Sequence, residues 1–119
     1  MISTYDKLTT LVALPVRPTA ILCSNDMTAI GVLRQASDHG ISIPQQLSVV
    51  GFDDIPFARF TIPPLTTVQM SRLELARLAF EALLEKERDD HGIAFNREYV
   101  LATQLTVRST TMLTPLHAA

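Results

Sequence analysis

The sequence predicts an α/β fold in which a parallel sheet is flanked by helices. Residues 19–23 and 47–52 are short apolar runs typical of buried strands, and residues 27–38 have the apolar spacing of a helix. Strands that alternate with helices along a chain form parallel βαβ units. Polar residues follow both apolar runs, at the position where open α/β sheets bind their ligands.

The helices in the first half of the sequence have recognisable ends. Residues 3–14 place leucine and valine side chains on one face and stop before a proline, which disrupts a helix. In the helix at 27–38, either Ser24 or Asn25 can cap the N-terminus by accepting a hydrogen bond from a backbone amide. Gly40 suits the left-handed residue that ends many helices.

The second half of the sequence predicts a short helix, a long helix and further strands. Residues 54–60 form the short helix, with Pro56 in the first turn, where a missing N–H costs little. The long helix begins at the capping box Ser71–Glu74 and runs to a polar turn at 85–92. The further strands are expected at 65–68, 97–102 and 104–107.

Composition and charge exclude several classes of protein. A chain of 119 residues fits one domain, and its net charge of −2 gives no field that would hold a phosphate backbone. Neither a secretory signal nor an apolar run of membrane-spanning length is apparent in the sequence. The single cysteine, Cys23, has no internal disulfide partner, so we expect a small buried hydrophobe in a cytoplasmic protein.

Four short segments occur together in a characteristic order and spacing. They are residues 17–31, 48–54 (Ser-Val-Val-Gly-Phe-Asp-Asp), 63–68 (Pro-Pro-Leu-Thr-Thr-Val) and 108–111 (Arg-Ser-Thr-Thr). Together they resemble the C-terminal half of the sensor domain of LacI/GalR transcription regulators. The resemblance implies a partial Rossmann-like parallel sheet with flanking helices, the C-terminal lobe of a periplasmic-binding-protein-like fold. We expect residues 1–119 to form one partial effector-binding and dimerisation lobe, without a helix-turn-helix DNA-binding domain.

The resemblance also implies a function in transcription regulation. The chain would belong to a cytoplasmic, homodimeric regulator that senses a small metabolite, such as a sugar or sugar derivative. It would reach DNA only through a preceding N-terminal domain, and we expect no cofactor and no membrane contact. The alternative is part of a periplasmic sugar-binding protein, which an upstream signal peptide would reveal. A phospho-receiver domain is disfavoured because Lys7 and Lys86 lie in helical segments instead of at a strand end.

The candidate ligand-binding residues are Asp53, Asn25 and Asp26. Asp53 is the first carboxylate after Gly-Phe, where the resemblance implies an effector contact; the alternative is a cap on the short helix. The Asn25 amide both donates and accepts hydrogen bonds, which suits recognition of a sugar or a purine, although Asn is also a common cap. Asp26, like Asp54, also suits orientation of its loop or negative charge at a helix N-terminus.

A dimer interface is predicted on the helix at 27–38 and on the segment before the paired prolines. The helix has apolar residues on two faces, whereas a surface helix needs only one buried stripe. The alternative is that all of these residues pack in the core. The resemblance places the interface at Ala29, Ile30, Leu33, Phe60 and Thr61.

No constellation typical of an enzyme or a metal site is apparent. His39, His91 and His117 are far apart, and no cysteine or carboxylate stands at metal-ligand spacing from them. Ser48 precedes a strand, unlike the serine of a nucleophile elbow, and the sequence has no glycine-rich phosphate loop. We therefore expect neither catalysis nor a bound metal.

Overall fold

The computed structural model describes residues 7–88 and 98–113. Within these ranges a four-stranded sheet has the order β1-β2-β3-β4, and the pairs β1–β2 and β2–β3 are parallel. A short 3₁₀ helix, Pro56–Phe60, lies between β2 and β3. The other elements are α1 (Lys7–Val12), β1 (Ala20–Leu22), α2 (Asp26–Asp38), β2 (Ser48–Phe52), β3 (Thr66–Met70), α3 (Arg72–Arg88) and β4 (Thr103–Thr106).

The predicted α/β fold with a parallel sheet is therefore confirmed. In the register of the sheet, Ile21 of β1 lies opposite Val49 of β2, and Gly51 of β2 lies opposite Thr67 of β3. Because β1 and β2 run in the same direction, the polar residues that follow them lie at the same edge of the sheet.

The hydrophobic core forms where one face of α2 packs against the sheet. Val49 of β2 has no exposed surface. Helix α2 packs against β2, and its buried apolar side chains are alanine, valine and leucine residues spaced three or four apart. Burial, with a smaller effect from the Asp26 carboxylate, raises the pKa of the Cys23 thiol to about 11, as suits the predicted buried hydrophobe. The buried cluster comprises Leu8, Cys23, Ala29, Val32, Leu33, Ala36, Leu47, Val49, Ala58 and Leu65.

The ends of α2 follow the sequence signals. At the C-terminus His39 is the cap residue, and its amide donates to the carbonyl oxygen of Gln35 at 3.0 Å. Gly40 then has a φ of 66°, the left-handed conformation that glycine adopts without a steric penalty. The predicted left-handed stop at Gly40 is confirmed.

Two predicted segments differ in the structure. Residues 98–102 have no regular secondary structure, so the predicted strand at 97–102 is wrong. Residues 98–100 are exposed to solvent. Residue 97 lies outside the described residues. The polar turn predicted from residue 85 is also wrong at its start, because α3 continues to Arg88. Glu, Lys and Arg, the residue types at 85–88, have a favourable intrinsic helix propensity. Residues 3–6 and 89–92 lie outside the described part of the chain.

The chain divides into two compact units. One comprises residues up to 69 together with those from 105 onward, and the other comprises residues 70–104. The organisation of 1–119 as one partial lobe stays a prediction. Among the described helices, none combines the length and apolarity that crossing a membrane would require.

Helix α3, in the second unit, begins with half of the predicted capping box. The Ser71 hydroxyl oxygen accepts a hydrogen bond from the Glu74 amide at 3.2 Å. The Glu74 carboxylate pairs with Arg77, which also donates to Glu81 at 2.7 Å. The bond from Arg77 lowers the pKa of the Glu74 carboxyl below its usual value. These are exposed pairs one turn apart, of the kind that supports a solvated helix surface.

Candidate functional site

The chain leaves β2 through a turn in which two adjacent aspartates adopt left-handed backbone conformations. Asp53 has a φ of 106° and Asp54 a φ of 49°. Non-glycine residues rarely adopt positive φ, although aspartate does so more often than most. The turn is tied to the sheet because the Asp53 amide donates to the carbonyl oxygen of Val68, in β3, at 2.9 Å. This turn presents the acidic pair at the edge of the sheet.

Asp53 has a half-buried side chain whose carboxylate has no hydrogen-bond partner within the described ranges. The following 3₁₀ helix has Ile55 as its N-terminal cap residue, and its first amides donate no hydrogen bond to a capping side chain. The alternative interpretation, in which Asp53 caps this helix, is therefore wrong. Within the described residues, the Asp53 carboxylate is therefore an acceptor without a donor from the protein.

Asp54 is held by an ion pair that the sequence alone did not reveal. Its Oδ1 accepts a hydrogen bond from the Arg108 guanidinium at 2.7 Å, and the two side chains are only 11% and 17% exposed, respectively. The same guanidinium donates to the carbonyl oxygen of Leu65 at 2.8 Å. The orienting role predicted for Asp54 is thus visible as a contact with the segment that follows β4.

The Asp26 carboxylate holds the same turn through hydrogen bonds. The side chain is fully buried, and Oδ1 accepts from the Thr67 hydroxyl at 2.5 Å while Oδ2 accepts from the Ile55 amide at 2.8 Å. The Thr67 oxygen also accepts from the Asp54 amide at 3.4 Å, so one hydroxyl joins the two acidic residues. Asp26 was a candidate both for ligand contact and for orienting its loop, and the structure places protein donors on both oxygens of its carboxylate. The geometry supports the loop-orienting role.

Gly51 is part of this arrangement because the Asp26 carboxylate lies directly over it. A Cβ atom at Gly51 would be 2.1 Å from Asp26 Oδ1 and 3.0 Å from Leu65 Cδ2. From the sequence we expected Gly51 only at the end of a strand. A glycine inside a strand, however, indicates close approach by another group, and this signal could have identified it.

Asn25 is the N-cap of α2. Its backbone is extended, with a φ of −158°, and its Oδ1 accepts from the Thr28 amide at 2.8 Å. The predicted capping role is confirmed, whereas a contact with a ligand stays a prediction. The cap uses the side-chain oxygen, so the amide nitrogen at the same edge of the sheet takes no part in that bond.

The segment after β4 is hydrogen-bonded to both β2 and β3. The fully buried Thr110 donates its hydroxyl to the carbonyl oxygen of Val49 at 2.6 Å and accepts from the Thr66 amide at 2.8 Å. Its carbonyl oxygen accepts from the Val49 amide at 2.8 Å, and the Arg108 amide donates to the Thr66 hydroxyl at 2.9 Å. The Arg-Ser-Thr-Thr segment thus joins β2 to β3 through its own polar groups.

The predicted dimer residues divide between the core and the surface. Ala29 is 0% exposed and Leu33 is 8% exposed in the single chain, so both lie in the core instead of on the outer surface that we expected. They belong to the stripe of α2 that packs on the sheet. Ile30 and Thr61 are half-buried, and Phe60 is 73% exposed, so these three remain available for an interface.

No group of three or more metal-ligating side chains (His, Cys, Asp or Glu) could hold a metal ion among the residues of 7–88 and 98–113. His39 is exposed beyond the end of α2, where its Nδ1 lies 2.8 Å from the carbonyl oxygen of Gln35. His91 and His117 lie outside the described residues.

Comparison with known proteins identifies the fold and the family. Residues 2–111 match the periplasmic binding protein-like domain family. The chain belongs to that family, among the sensor domains of LacI/GalR regulators. It is 37% identical over 105 residues to the HTH-type transcriptional repressor CytR of Escherichia coli K12, covering 88% of this chain and 30% of that protein. It is 40% identical over 95 residues to the HTH-type transcriptional repressor PurR of Vibrio atlanticus, covering 79% of this chain and 28% of that protein.

Solved structures show the same relationship. A LacI-type transcription regulator from Bifidobacterium animalis superposes with a TM-score of 0.79 and 35% identity, over 93% of this chain and 39% of that one. A LacI family regulator from Lactobacillus casei with bound sucrose gives a TM-score of 0.72 and 29% identity, over 91% and 39% respectively. This LacI/GalR-family chain thus spans about a third of the length of its relatives.

Proposed function

We propose that this LacI/GalR-family chain supplies one wall of the effector site, and part of the dimer contact, of a transcriptional repressor. The observation that carries the proposal is the Asp53 carboxylate, half-buried at the end of β2 and without a protein partner within the described ranges. Asn25 presents a side-chain amide at the same edge of the sheet. Both candidate effector contacts therefore come from neighbouring parallel strand ends, where α/β folds bind ligands.

The proposed effector is a sugar or a sugar derivative. A carboxylate accepts hydrogen bonds from hydroxyl groups, and an amide nitrogen donates to hydroxyl oxygens. Bound sucrose and bound glucose are found in structures of the Lactobacillus casei regulator, to which this chain is similar. A polyhydroxylated ligand would therefore suit the pairing of Asp53 with Asn25.

The effector would act by shifting the balance between two conformations of the regulator. It can change DNA affinity only through its different affinity for those conformations. Relatives of this chain are named as HTH-type repressors, and we place DNA contact in such a helix-turn-helix outside these residues. The proposed regulator is homodimeric and works in the cytoplasm.

A direct test is titration of the chain with D-glucose and with sucrose, followed by NMR shifts of backbone amides. We expect saturable shifts near Asp53 and Asn25, with a Kd of about 1 mM or weaker, near −4 kcal/mol, because another lobe would form the opposite wall. Asp53→Ala should abolish the shifts, whereas Glu81→Ala, on the exposed surface of α3, should leave them unchanged. Shifts confined to other regions, or none with either sugar, would contradict a sugar site here.

The dimer contact is proposed for the surface that includes Ile30, Phe60 and Thr61. We expect the chain to self-associate and Phe60→Asp to weaken association by at least about tenfold, because burying an unpaired carboxylate is costly. Val16→Asp is the matched control, since Val16 is 85% exposed and lies between α1 and β1. Sedimentation velocity measures both variants. A monomeric wild-type chain at high micromolar concentration would refute the proposal.

The alternative hypothesis for a protein of this fold is a periplasmic sugar-binding protein. The matched family takes its description from periplasmic binding proteins, whereas the relatives described above are repressors and LacI-type regulators. These relatives favour the regulator. Reading the codons upstream decides between the two, because a signal peptide would support transport and a helix-turn-helix would support regulation.

A further inference from the structure

We propose that Arg108, acting through Asp54, is the positioning residue that aims Asp53 at the effector. The inference rests on the proposed role of Asp53 and extends it to a residue that does not itself contact the ligand. The two aspartates are adjacent in one turn, yet they have different surroundings. Asp54 is 11% exposed and ion-paired with Arg108, whereas Asp53 is half-buried and has no side-chain partner in the described ranges.

The turn needs such a restraint because both aspartates have positive φ angles, 106° and 49°. Conformations of this kind persist only where the surrounding contacts determine them. The Asp53 amide donates to the carbonyl oxygen of Val68 at 2.9 Å, and the Ile55 amide donates to the side-chain Oδ2 of Asp26 at 2.8 Å. The bond from the Asp54 amide to the Thr67 hydroxyl is long, at 3.4 Å, which leaves the ion pair as the shorter restraint on this residue.

Arg108 can act as a fixed support because it is itself anchored to β3. Its guanidinium donates to the carbonyl oxygen of Leu65 at 2.8 Å, and its backbone amide donates to the Thr66 hydroxyl at 2.9 Å. The planar guanidinium therefore bridges the start of β3 and the Asp54 carboxylate with two separate donors. A lysine has one flexible ammonium group and cannot reproduce this fork.

The pair also has an electrostatic effect on the turn. Asp53 and Asp54 are consecutive in the sequence, and the like charges of their carboxylates repel each other. The Arg108 cation, 17% exposed, compensates the charge of Asp54. Asp53 is thereby left as the carboxylate that receives donors from a ligand, while its neighbour stays with the protein.

Amide hydrogen exchange on the complete 119-residue chain tests the positioning role without a ligand. We expect Asp54→Asn and Arg108→Lys each to accelerate exchange of the Asp53 and Ile55 amides by about tenfold relative to the Cys23 amide. The Cys23 amide, bonded to the carbonyl oxygen of Val50 at 2.8 Å, reports on the sheet. Asparagine adopts positive φ readily, so Asp54→Asn removes the charge without adding backbone strain.

Two further variants complete the experiment. The double variant Asp54→Asn/Arg108→Lys should exchange no faster than the faster single variant, because residues that act as a pair are not additive. Glu81→Gln, which weakens an exposed bond to Arg77, is the control and should leave the turn unchanged. Equal acceleration at Cys23, as in a variant that unfolds, would indicate general destabilisation and overturn the inference. Unchanged exchange at Asp53 and Ile55 would overturn it as well.

The outcome is independent of the sugar titration, so the two proposals can fail separately. Selective acceleration with no sugar-induced shifts would keep the positioning role and refute the sugar site. Sugar-induced shifts at Asp53 that keep the same affinity in Asp54→Asn would refute the positioning role and keep the site. If both hold, Asp54→Asn should weaken glucose or sucrose binding by about tenfold while the fold of the sheet persists.

Discussion

Gly51→Ala is expected to destabilise the chain by about 3 kcal/mol or more, because the new methyl group would enter the space of a buried carboxylate. The added Cβ would be 2.1 Å from Asp26 Oδ1 and 3.2 Å from its Cγ. To relieve the overlap, Asp26 must move, and its bonds to Thr67 and Ile55 are then strained or broken. Chemical denaturation monitored by circular dichroism measures the change.

The matched control is Gly31→Ala, in the middle of α2. A Cβ there meets nothing within 4 Å, and alanine is the better helix former, so this variant should be more stable by about 0.5–1 kcal/mol. In an Asp26→Ala background the added cost of Gly51→Ala should shrink, because the clashing oxygen is gone. An equal cost in both backgrounds would show that the contact with Asp26 is not the cause.

The parts of the fold that could be predicted from the sequence are those set by neighbouring residues. The α2 helix begins at Asp26, one residue from the predicted start, because Asn25 caps it and Gly40 follows its end. Strand β2 likewise follows a local apolar run that ends at polar residues. Such signals depend only on spacing within one segment, so they survive without knowledge of the tertiary structure.

The side-chain network of the site could not be predicted in this way. Thr67 meets Asp26, and Arg108 meets Asp54, across separations of 41 and 54 residues. Contacts of that range leave no periodic pattern in one sequence. The two apolar faces of α2 pose a similar problem, since spacing does not say which face meets the sheet. Leu33 therefore turned out to be a core residue.

The site combines buried polar residues that have protein partners with one acceptor, Asp53, that has none within the described residues. Asp26 and Thr110 are fully buried, and each joins elements that are distant in the sequence. Buried polar groups stabilise a unique arrangement only when their partners are complete. The half-buried acceptor at Asp53 is the member left for a ligand, so changes at the buried residues and changes at Asp53 should have separable effects. Loss of a buried member should reduce stability, and loss of Asp53 should reduce binding.

Asp26→Asn tests the buried part of the site and is expected to cost about 1–3 kcal/mol of unfolding free energy, the usual cost of leaving a buried polar group without its hydrogen bond. The change is nearly isosteric, so it leaves no cavity. Both carboxylate oxygens accept from donors, the Thr67 hydroxyl at 2.5 Å and the Ile55 amide at 2.8 Å. An asparagine offers one oxygen and one NH₂ group, which sets a donor against one of these donors and leaves a buried group unsatisfied.

The matched control is Asp38→Asn at the end of α2, where the carboxylate pairs with the exposed Arg34 at 3.1 Å. Exposed pairs contribute little, so this variant should change stability by less than about 0.5 kcal/mol. Urea denaturation of both variants at neutral pH gives the comparison. If Asp26→Asn were as mild as Asp38→Asn, the buried carboxylate would not be organising the turn. A third variant, Thr67→Val, removes only the hydroxyl. Its expected loss of unfolding free energy lies between those expected for Asp26→Asn and Asp38→Asn, because the Ile55 amide keeps its acceptor.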